Sequence, residues 1–101
     1  MSDKIRKTVF SAIDDVNQLL PKNEKVDTKL ESLLYAEGGK LDSLALVNLI
    51  VAIEEKIEAE FGALISLADD RAMSKKDSPF RTIRSLVNHL CVLLEEMTNG
   101  Q

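Results

Sequence analysis

The stretch that decides the fold is GGKLDSLALVNLIVAI, residues 38–53 of this 101-residue chain. Aspartate is a favoured N-cap residue, and the apolar run that follows Asp42 has helical length and spacing. The stretch therefore predicts a helix that begins at Ser43, with the serine hydroxyl exposed in the first turn. Gly38 and Gly39 supply backbone freedom just before the cap. An Asp-Ser-Leu string is short enough to occur by chance, so its weight comes from its surroundings.

The predicted helix, Ser43–Phe61, carries more apolar residues at its start than a helix with one buried face requires. One stripe is wide enough to face a core, and a second apolar face shares its side of the helix with Ser43. Either the helix is fully surrounded and buries both faces, or the second face is an exposed patch that binds other proteins. The core stripe is Leu46, Leu49, Ile50, Ile53 and Ile57, and the second face is Leu44, Val47, Val51, Glu54, Glu55 and Glu58.

Apolar spacing predicts two further long helices on either side of this one. A 3.6-residue stripe covers about Lys4–Leu20, and Pro21 ends that helix. Another stripe covers about Arg81–Met97 and follows Pro79. Phe80, directly before this last helix, is expected to pack on the bundle.

The remaining segments carry weaker patterns. Residues 21–42 form a long connection with a turn around Leu30–Tyr35, and a loop of this length in a small domain is usually functional or marks an element that the pattern does not reveal. The segment Leu67–Met73 predicts a short helix with Met73 as its inward residue. The predicted fold is therefore all-α, a small bundle of three longer helices and one short helix.

Several segments fall in an order that extends beyond the Asp-Ser-Leu string. They are Leu33–Tyr35, Gly39–Leu44, the helix end Ile53–Gly62 and the helix start Ser78–Ile83. In this order they resemble the acyl and peptidyl carrier proteins. In that family the attachment serine lies in an Asp-Ser-Leu or Asp-Ser-Met motif, at the start of the second helix of a small helical bundle. The likeness covers most of the chain and implies a 4′-phosphopantetheine arm joined to Ser43 by a phosphodiester, with Asp42 and Leu44 as motif residues.

The resemblance also implies how such a chain works. A separate phosphopantetheinyl transferase would attach the arm from coenzyme A with magnesium, and Asp42 would help to present the serine. Separate enzymes would then load acyl or aminoacyl groups on the arm as thioesters, and synthases or transferases would use them. Those partners are expected to dock on the second face of the helix, at Leu44, Val47, Val51, Glu54 and Glu55.

The sequence leaves the branch of the family open. Ala45 and Asn48 occupy positions that are acidic in fatty-acid carriers, and the usual glycine stands one residue further upstream. A freestanding acyl carrier is the main hypothesis. The Leu-Asp-Ser register and the long Ser66–Ser78 connection are similar to the D-alanine carrier of teichoic acid modification, and a polyketide or nonribosomal-peptide carrier is equally open. In another class, the chain would be an unmodified helical adaptor that binds partners through the same helix.

Composition sets further limits. A chain of 101 residues with 45% hydrophobic content suits one domain, residues 1–101, whose tail at 98–101 frays. The net charge of −4 argues against a nucleic-acid binder. The start of the chain does not have the pattern of a signal peptide, and no stretch is long and apolar enough to cross a membrane. We therefore expect a cytoplasmic monomer without membrane insertion.

Catalysis by the chain itself is not expected. A serine nucleophile needs a base, and the sequence has one histidine, His89, and no glycine-rich nucleophile elbow around Ser43. The single cysteine, Cys91, lies among apolar residues and is predicted to be a small core side chain. Asp69-Asp70 and Glu95-Glu96 do not form the ligand series of a cation site, so no metal is expected.

Overall fold

The computed structural model describes residues 2–21, 25–36, 38–67 and 78–99. This part of the chain contains three α-helices. They are α1, Ser2–Asn17, α2, Ser43–Phe61, and α3, Ile83–Asn99. Within these ranges the extended backbone is limited to an isolated antiparallel bridge between Leu33 and Thr82. The prediction of a small all-helical protein is confirmed. The predicted short helix Leu67–Met73 lies, apart from Leu67, outside the described residues.

Helix α2 has the predicted bounds, whereas α1 ends three residues earlier than the apolar stripe indicated. The reason is the side chain of Asn17, the last residue of α1. Its amide nitrogen donates to the carbonyl of Val26 at 2.9 Å, and its oxygen accepts from the N–H of Val26 at 2.8 Å. Leu20 continues only as a tighter turn, because its N–H bonds to the carbonyl of Asn17 at 3.2 Å.

Helix α3 begins two residues later than predicted because Thr82 is its cap. The hydroxyl of Thr82 accepts from the N–H of Ser85 at 3.0 Å, and the hydroxyl of Ser85 accepts from the N–H of Thr82 at 3.1 Å. This reciprocal pair has the geometry of a capping box, with serine in the place of the usual glutamate. Phe80, just before the cap, is fully buried as predicted.

The core lies where the apolar stripes of the helices meet. Helix α1 packs against both α2 and α3. It runs antiparallel to α2, since Lys4 at its start bonds to the carbonyl of Glu60 and Asp15 near its end pairs with Lys56. The predicted core stripe of α2 is buried throughout. The buried apolar residues of the helices are Ile5, Val9, Ala12, Ile13 and Val16 of α1, Ala45, Leu46, Leu49, Ile50, Ile53 and Ile57 of α2, and Ile83, Leu86, Val87, Leu90 and Leu94 of α3.

The connection before α2 is held by the first turn of α3. The first N–H groups of a helix have no partner inside it. In α3 the carbonyl of Ser32 accepts from Ile83 at 3.2 Å, and the carbonyl of Leu30 accepts from Arg84 at 2.8 Å. The predicted turn around Leu30–Tyr35 is thereby fixed to a helix that follows it by some fifty positions in the sequence. Within the described ranges, none of the helices is both long and apolar enough to cross a membrane.

Candidate functional site

Ser43 is the first residue of α2, and its side chain is exposed. The preceding residue, Asp42, has the extended backbone of an N-cap, with φ −92° and ψ −176°. Its carboxylate accepts from the N–H of Ala45 at 2.8 Å, and its carbonyl accepts from Leu46 at 2.9 Å. The aspartate therefore caps the start of the helix, and the serine is exposed in the first turn, as the sequence predicted.

The loop before the cap is positioned by Leu34. The carbonyl of Leu34 accepts from the N–H of Leu41 at 3.2 Å, which brings the chain to the start of α2. Its N–H donates to the carbonyl of Arg81 at 2.7 Å, and the neighbouring N–H of Tyr35 donates to Phe80 at 2.9 Å. One buried residue thus connects the approach to Ser43 with the approach to α3.

The two glycines of the loop have different structural roles. Gly38 has φ +79°, in the left-handed region that glycine adopts without strain. Gly39 instead allows a close approach, since a Cβ atom there would lie 2.1 Å from the carbonyl oxygen of Leu34. The sequence predicted conformational freedom for both glycines, but Gly39 is required for space.

The second face of α2 is exposed beside the serine. Leu44 is 72% exposed, Val47 44% and Val51 47%. A helix that buried both apolar faces would leave none of these side chains in solvent, so that interpretation is excluded. Three large apolar side chains in a row next to Ser43 form a surface with which another protein can make apolar contact.

The glutamates at the acidic end of this face differ in their surroundings. Glu54 is half-buried, and its carboxylate accepts from the N–H of Leu67 at 2.8 Å. It therefore holds the segment that follows α2, a contact that the sequence prediction did not include. Glu55 and Glu58 are exposed. We call Leu44, Val47, Val51, Glu55 and Glu58 the docking face.

Leu19, which lies outside α2, extends the docking face, and the sequence pattern did not predict this. Leu19 is 71% exposed and lines a recess of about 220 Å³ with Val51, Ala52 and Glu55 of α2. In an uninterrupted helix Leu19 would fall on the buried side of α1. The early end of α1 at Asn17 turns it outward, and no sequence signal marked that end.

The other reactive side chains lie on α3. His89 and Cys91 are both half-buried; Cys91, predicted to be a core side chain, is only partly buried and packs against the core from its edge. Among the described residues, no three His, Cys, Asp or Glu side chains come together in a way that could hold a metal ion. Ser43 is therefore exposed, whereas His89 and Cys91 are half-buried.

Comparison with known proteins gives no match: no family model fits the sequence, and no curated protein or solved structure is significantly similar to it.

Proposed function

We propose that this chain is a freestanding acyl carrier protein that holds acyl intermediates as thioesters on a 4′-phosphopantetheine arm at Ser43. The observation that carries the proposal is the exposed serine at the first position of α2, directly after the capping Asp42. The order of sequence segments resembling the carrier family supports the same assignment. The proposed cellular location is the cytoplasm, and the chain would act as a monomer.

The helix start suits a phosphodiester. The first turn of a helix presents N–H groups and the positive end of the macrodipole, which favour a negative charge by about 0.3–1 kcal/mol at an exposed site. The carboxylate of Asp42 is already committed to the N–H of Ala45, so it stays turned into the helix end. Ser43 is exposed, so a group joined to its oxygen can extend into solvent.

Attachment would require little of the chain itself. The Ser43 oxygen would form a bond to the phosphorus that carries the pantetheine, and the pyrophosphate bond of coenzyme A would break. Adenosine 3′,5′-bisphosphate would leave, and the serine proton would pass to a base of the separate transferase. When bound, the arm supplies a thiol that carries acyl groups as thioesters. The chain contributes an anchor and a surface that the loading enzymes and downstream synthases or transferases recognise.

That surface is the docking face. Leu44, Val47 and Val51 would give apolar contact area next to the arm, and the carboxylates of Glu55 and Glu58 would orient a basic partner. Long-range attraction of this kind raises association rates and weakens with salt. Asn48 is uncharged, so we expect a weaker salt dependence than a carrier with an acid at this position would show.

Two other functions share these observations. An aminoacyl or peptidyl carrier, including one like the D-alanine carrier, would use the same serine and arm with a different cargo. An unmodified helical adaptor is favoured by the exposed apolar face alone, which needs no arm to bind a partner.

The intact mass of the protein after incubation with coenzyme A, magnesium and a broad-specificity phosphopantetheinyl transferase tests the proposal. We expect the wild-type chain to gain the mass of one arm and Ser43→Ala to gain none, while its circular dichroism stays unchanged. Ser66→Ala is the matched control, because Ser66 is an exposed serine outside the helices and should leave loading intact. A wild-type chain that stays unmodified would favour the adaptor, and a Ser43→Ala chain that is still loaded would place the arm elsewhere.

A further inference from the structure

The recess that Leu19 lines has apolar walls, and we call it the Leu19 recess. Leu19, Val51 and Ala52 supply its apolar lining. Leu19 and Val51 are exposed and Ala52 is half-buried, so these side chains offer apolar surface to a group that enters from solvent. The volume of about 220 Å³ corresponds to the space of about seven molecules of liquid water, which suits a single long side chain.

Hydrogen-bond acceptors from α1 and from α2 also line this recess. Glu55 of α2 is exposed, and among the described residues no hydrogen bond or ion pair engages its carboxylate. Asp15 is also exposed, and its Oδ2 atom pairs with Lys56 at 2.9 Å, which leaves Oδ1 as a further acceptor. The side chain of Asn48 adds an amide oxygen. A donor that enters the recess therefore meets acceptors from two helices.

The ammonium of Lys56 does not cancel the negative charge of the Leu19 recess. Lys56 lines a different recess, together with Lys4 and Lys7, and is not part of the lining of this one. Its positive charge offsets that of Asp15 alone, because those two side chains form the ion pair. The negative charge that remains at the recess is that of Glu55.

Apolar walls combined with carboxylates favour a long side chain that has a positive tip. A purely apolar side chain would cover the carboxylates without giving them a donor, and burying an unpaired charge is costly. Lysine and arginine instead lay an apolar stem on apolar surface and keep the charged end in contact with water. The guanidinium of arginine holds several donors in a planar fork and can bond acceptors of two helices together, whereas the ammonium of lysine is a compact point charge.

We propose that the Leu19 recess binds an arginine side chain of a partner protein, with its methylene groups on Leu19 and Val51 and its guanidinium on Glu55 and Asp15. Val51 and Glu55 also belong to the docking face, so the recess continues that surface towards α1. The proposal rests on the proposed function only in taking the partner to be an enzyme that serves the arm. Its consequence is that the turn after α1 takes part in recognition, since Leu19 is outside the helix that ends at Asn17.

Three small probes, each titrated into the full chain and followed by NMR, test the proposal. They are N-acetyl-arginine methylamide, its citrulline analogue, which has nearly the same shape without the charge, and its norleucine analogue, which is apolar. We expect the arginine probe to bind about three- to fivefold more tightly than the citrulline probe at low salt, a ratio typical of exposed ion pairs. The methyl signals of Leu19 and Val51 and the side-chain amide signal of Asn48 should shift. The preference for arginine should decrease as the salt concentration rises.

Two glutamate variants isolate the charge of the recess. Glu55→Gln keeps the size of the side chain and removes its charge, so the preference for arginine over citrulline should fall to within about twofold. Glu95→Gln makes the same change at an exposed position of α3 that does not line the recess. It should leave the preference unchanged.

Two leucines outside the helices form a matched pair for the apolar wall. Leu19→Ser should weaken binding of the arginine and citrulline probes alike, by about threefold, because the stem of each probe loses apolar contact. Leu64 is 75% exposed, similar to Leu19 at 71%, but it does not line the recess. Leu64→Ser should therefore leave both affinities unchanged.

Equal affinity for the arginine and citrulline probes, tightest binding by the norleucine probe, or no shift of the three signals would each overturn the proposal. So would a preference for arginine that persists in Glu55→Gln. Shifts of the same signals when the chain alone is concentrated would identify a second copy as the occupant and overturn the assignment to a partner. None of these titrations needs the arm, whose attachment to Ser43 is read by mass, so failure of this proposal and failure of the proposed function are separate results.

Discussion

Gly38 and Gly39 are neighbours in sequence, yet substitution of each should destabilise the fold for a different reason. Gly38 would be strained by its positive φ, but a Cβ atom there meets nothing closer than 3.8 Å. At Gly39 the obstacle is the backbone carbonyl of Leu34, 2.1 Å from the position of a Cβ atom. A backbone atom cannot rotate away as a side chain can, so the loop itself must move.

We therefore predict that Gly39→Ala destabilises the fold more than Gly38→Ala. Placing an alanine in the left-handed conformation at Gly38 should cost about 1–2 kcal/mol. Gly39→Ala should lower the free energy of unfolding by upwards of about 3 kcal/mol, because the loop must move and the hydrogen bond between Leu34 and Leu41 is lost. Urea unfolding followed by circular dichroism measures both. Equal losses would show that the close approach to Leu34 is not required.

At the scale of single residues, the sequence predicted Asp42 and Ser43 well because N-capping is local. The cap and its partner Ala45 are three residues apart, and the preference of aspartate for this position comes from that short contact. The closeness of Gly39 to Leu34 depends on how the loop folds back. No local preference encodes it.

Among the helices, α2 contains the surface on which the proposed function depends. We predict that Val47→Asp folds with a free energy of unfolding within about 0.5 kcal/mol of the wild type, because Val47 is 44% exposed. It should slow both arm transfer and acyl loading at any salt concentration. A charge placed between Leu44 and Val51 would break the apolar contact area. Transfer rates by mass and unfolding by urea are the measurements.

The double substitution Glu55→Lys/Glu58→Lys is the complementary control, and it should slow transfer mainly at low salt. Glu54 is unsuitable for that purpose, since its carboxylate bonds to Leu67 and its loss would disturb the segment after α2. A Val47→Asp protein that loads at the normal rate would place docking on another surface.

The two faces of α2 were predicted from periodicity, but the different roles of its glutamates were not. Helical spacing places Glu54 and Glu58 on one side of the helix, which made them look equivalent. What separates them is a hydrogen bond to a residue thirteen positions away. The last residue of α1 and the first residue of α3 were predicted wrongly for a similar reason. The contacts that set them involve Val26 and the Thr82–Ser85 pair rather than the apolar stripe.

Across the whole molecule, Glu31 and Arg84 join two segments that are 53 residues apart. The guanidinium of Arg84 lies 2.6 Å from the carboxylate of Glu31, and this hydrogen bond is the main cause that lowers the pKa of Glu31. Because the pKa is lower in the folded state, the pair stabilises the fold above the unfolded pKa of Glu31. The stabilisation is lost as the pH falls through the folded pKa.

We predict that Arg84→Gln raises the pKa of Glu31, measured by NMR titration of its carboxyl carbon. The effect on stability should be small, since both side chains are exposed. Arg6→Gln removes a different ion pair, with Asp3, and should leave the Glu31 titration unchanged. An unaltered pKa in Arg84→Gln would mean that the pair does not persist in solution.

The hydrogen bonds of Leu34 restrict where residues can be inserted into this chain or deleted from it. Its N–H donates to the carbonyl of Arg81, just before α3, and its carbonyl accepts from the N–H of Leu41, so the number of residues between Leu34 and Leu41 is fixed. An insertion between Leu34 and Ser43 would push the serine off the helix start or break one of these bonds. Descendants of this sequence should therefore gain and lose residues between Val26 and Leu30, while the nine steps from Leu34 to Ser43 stay constant in number.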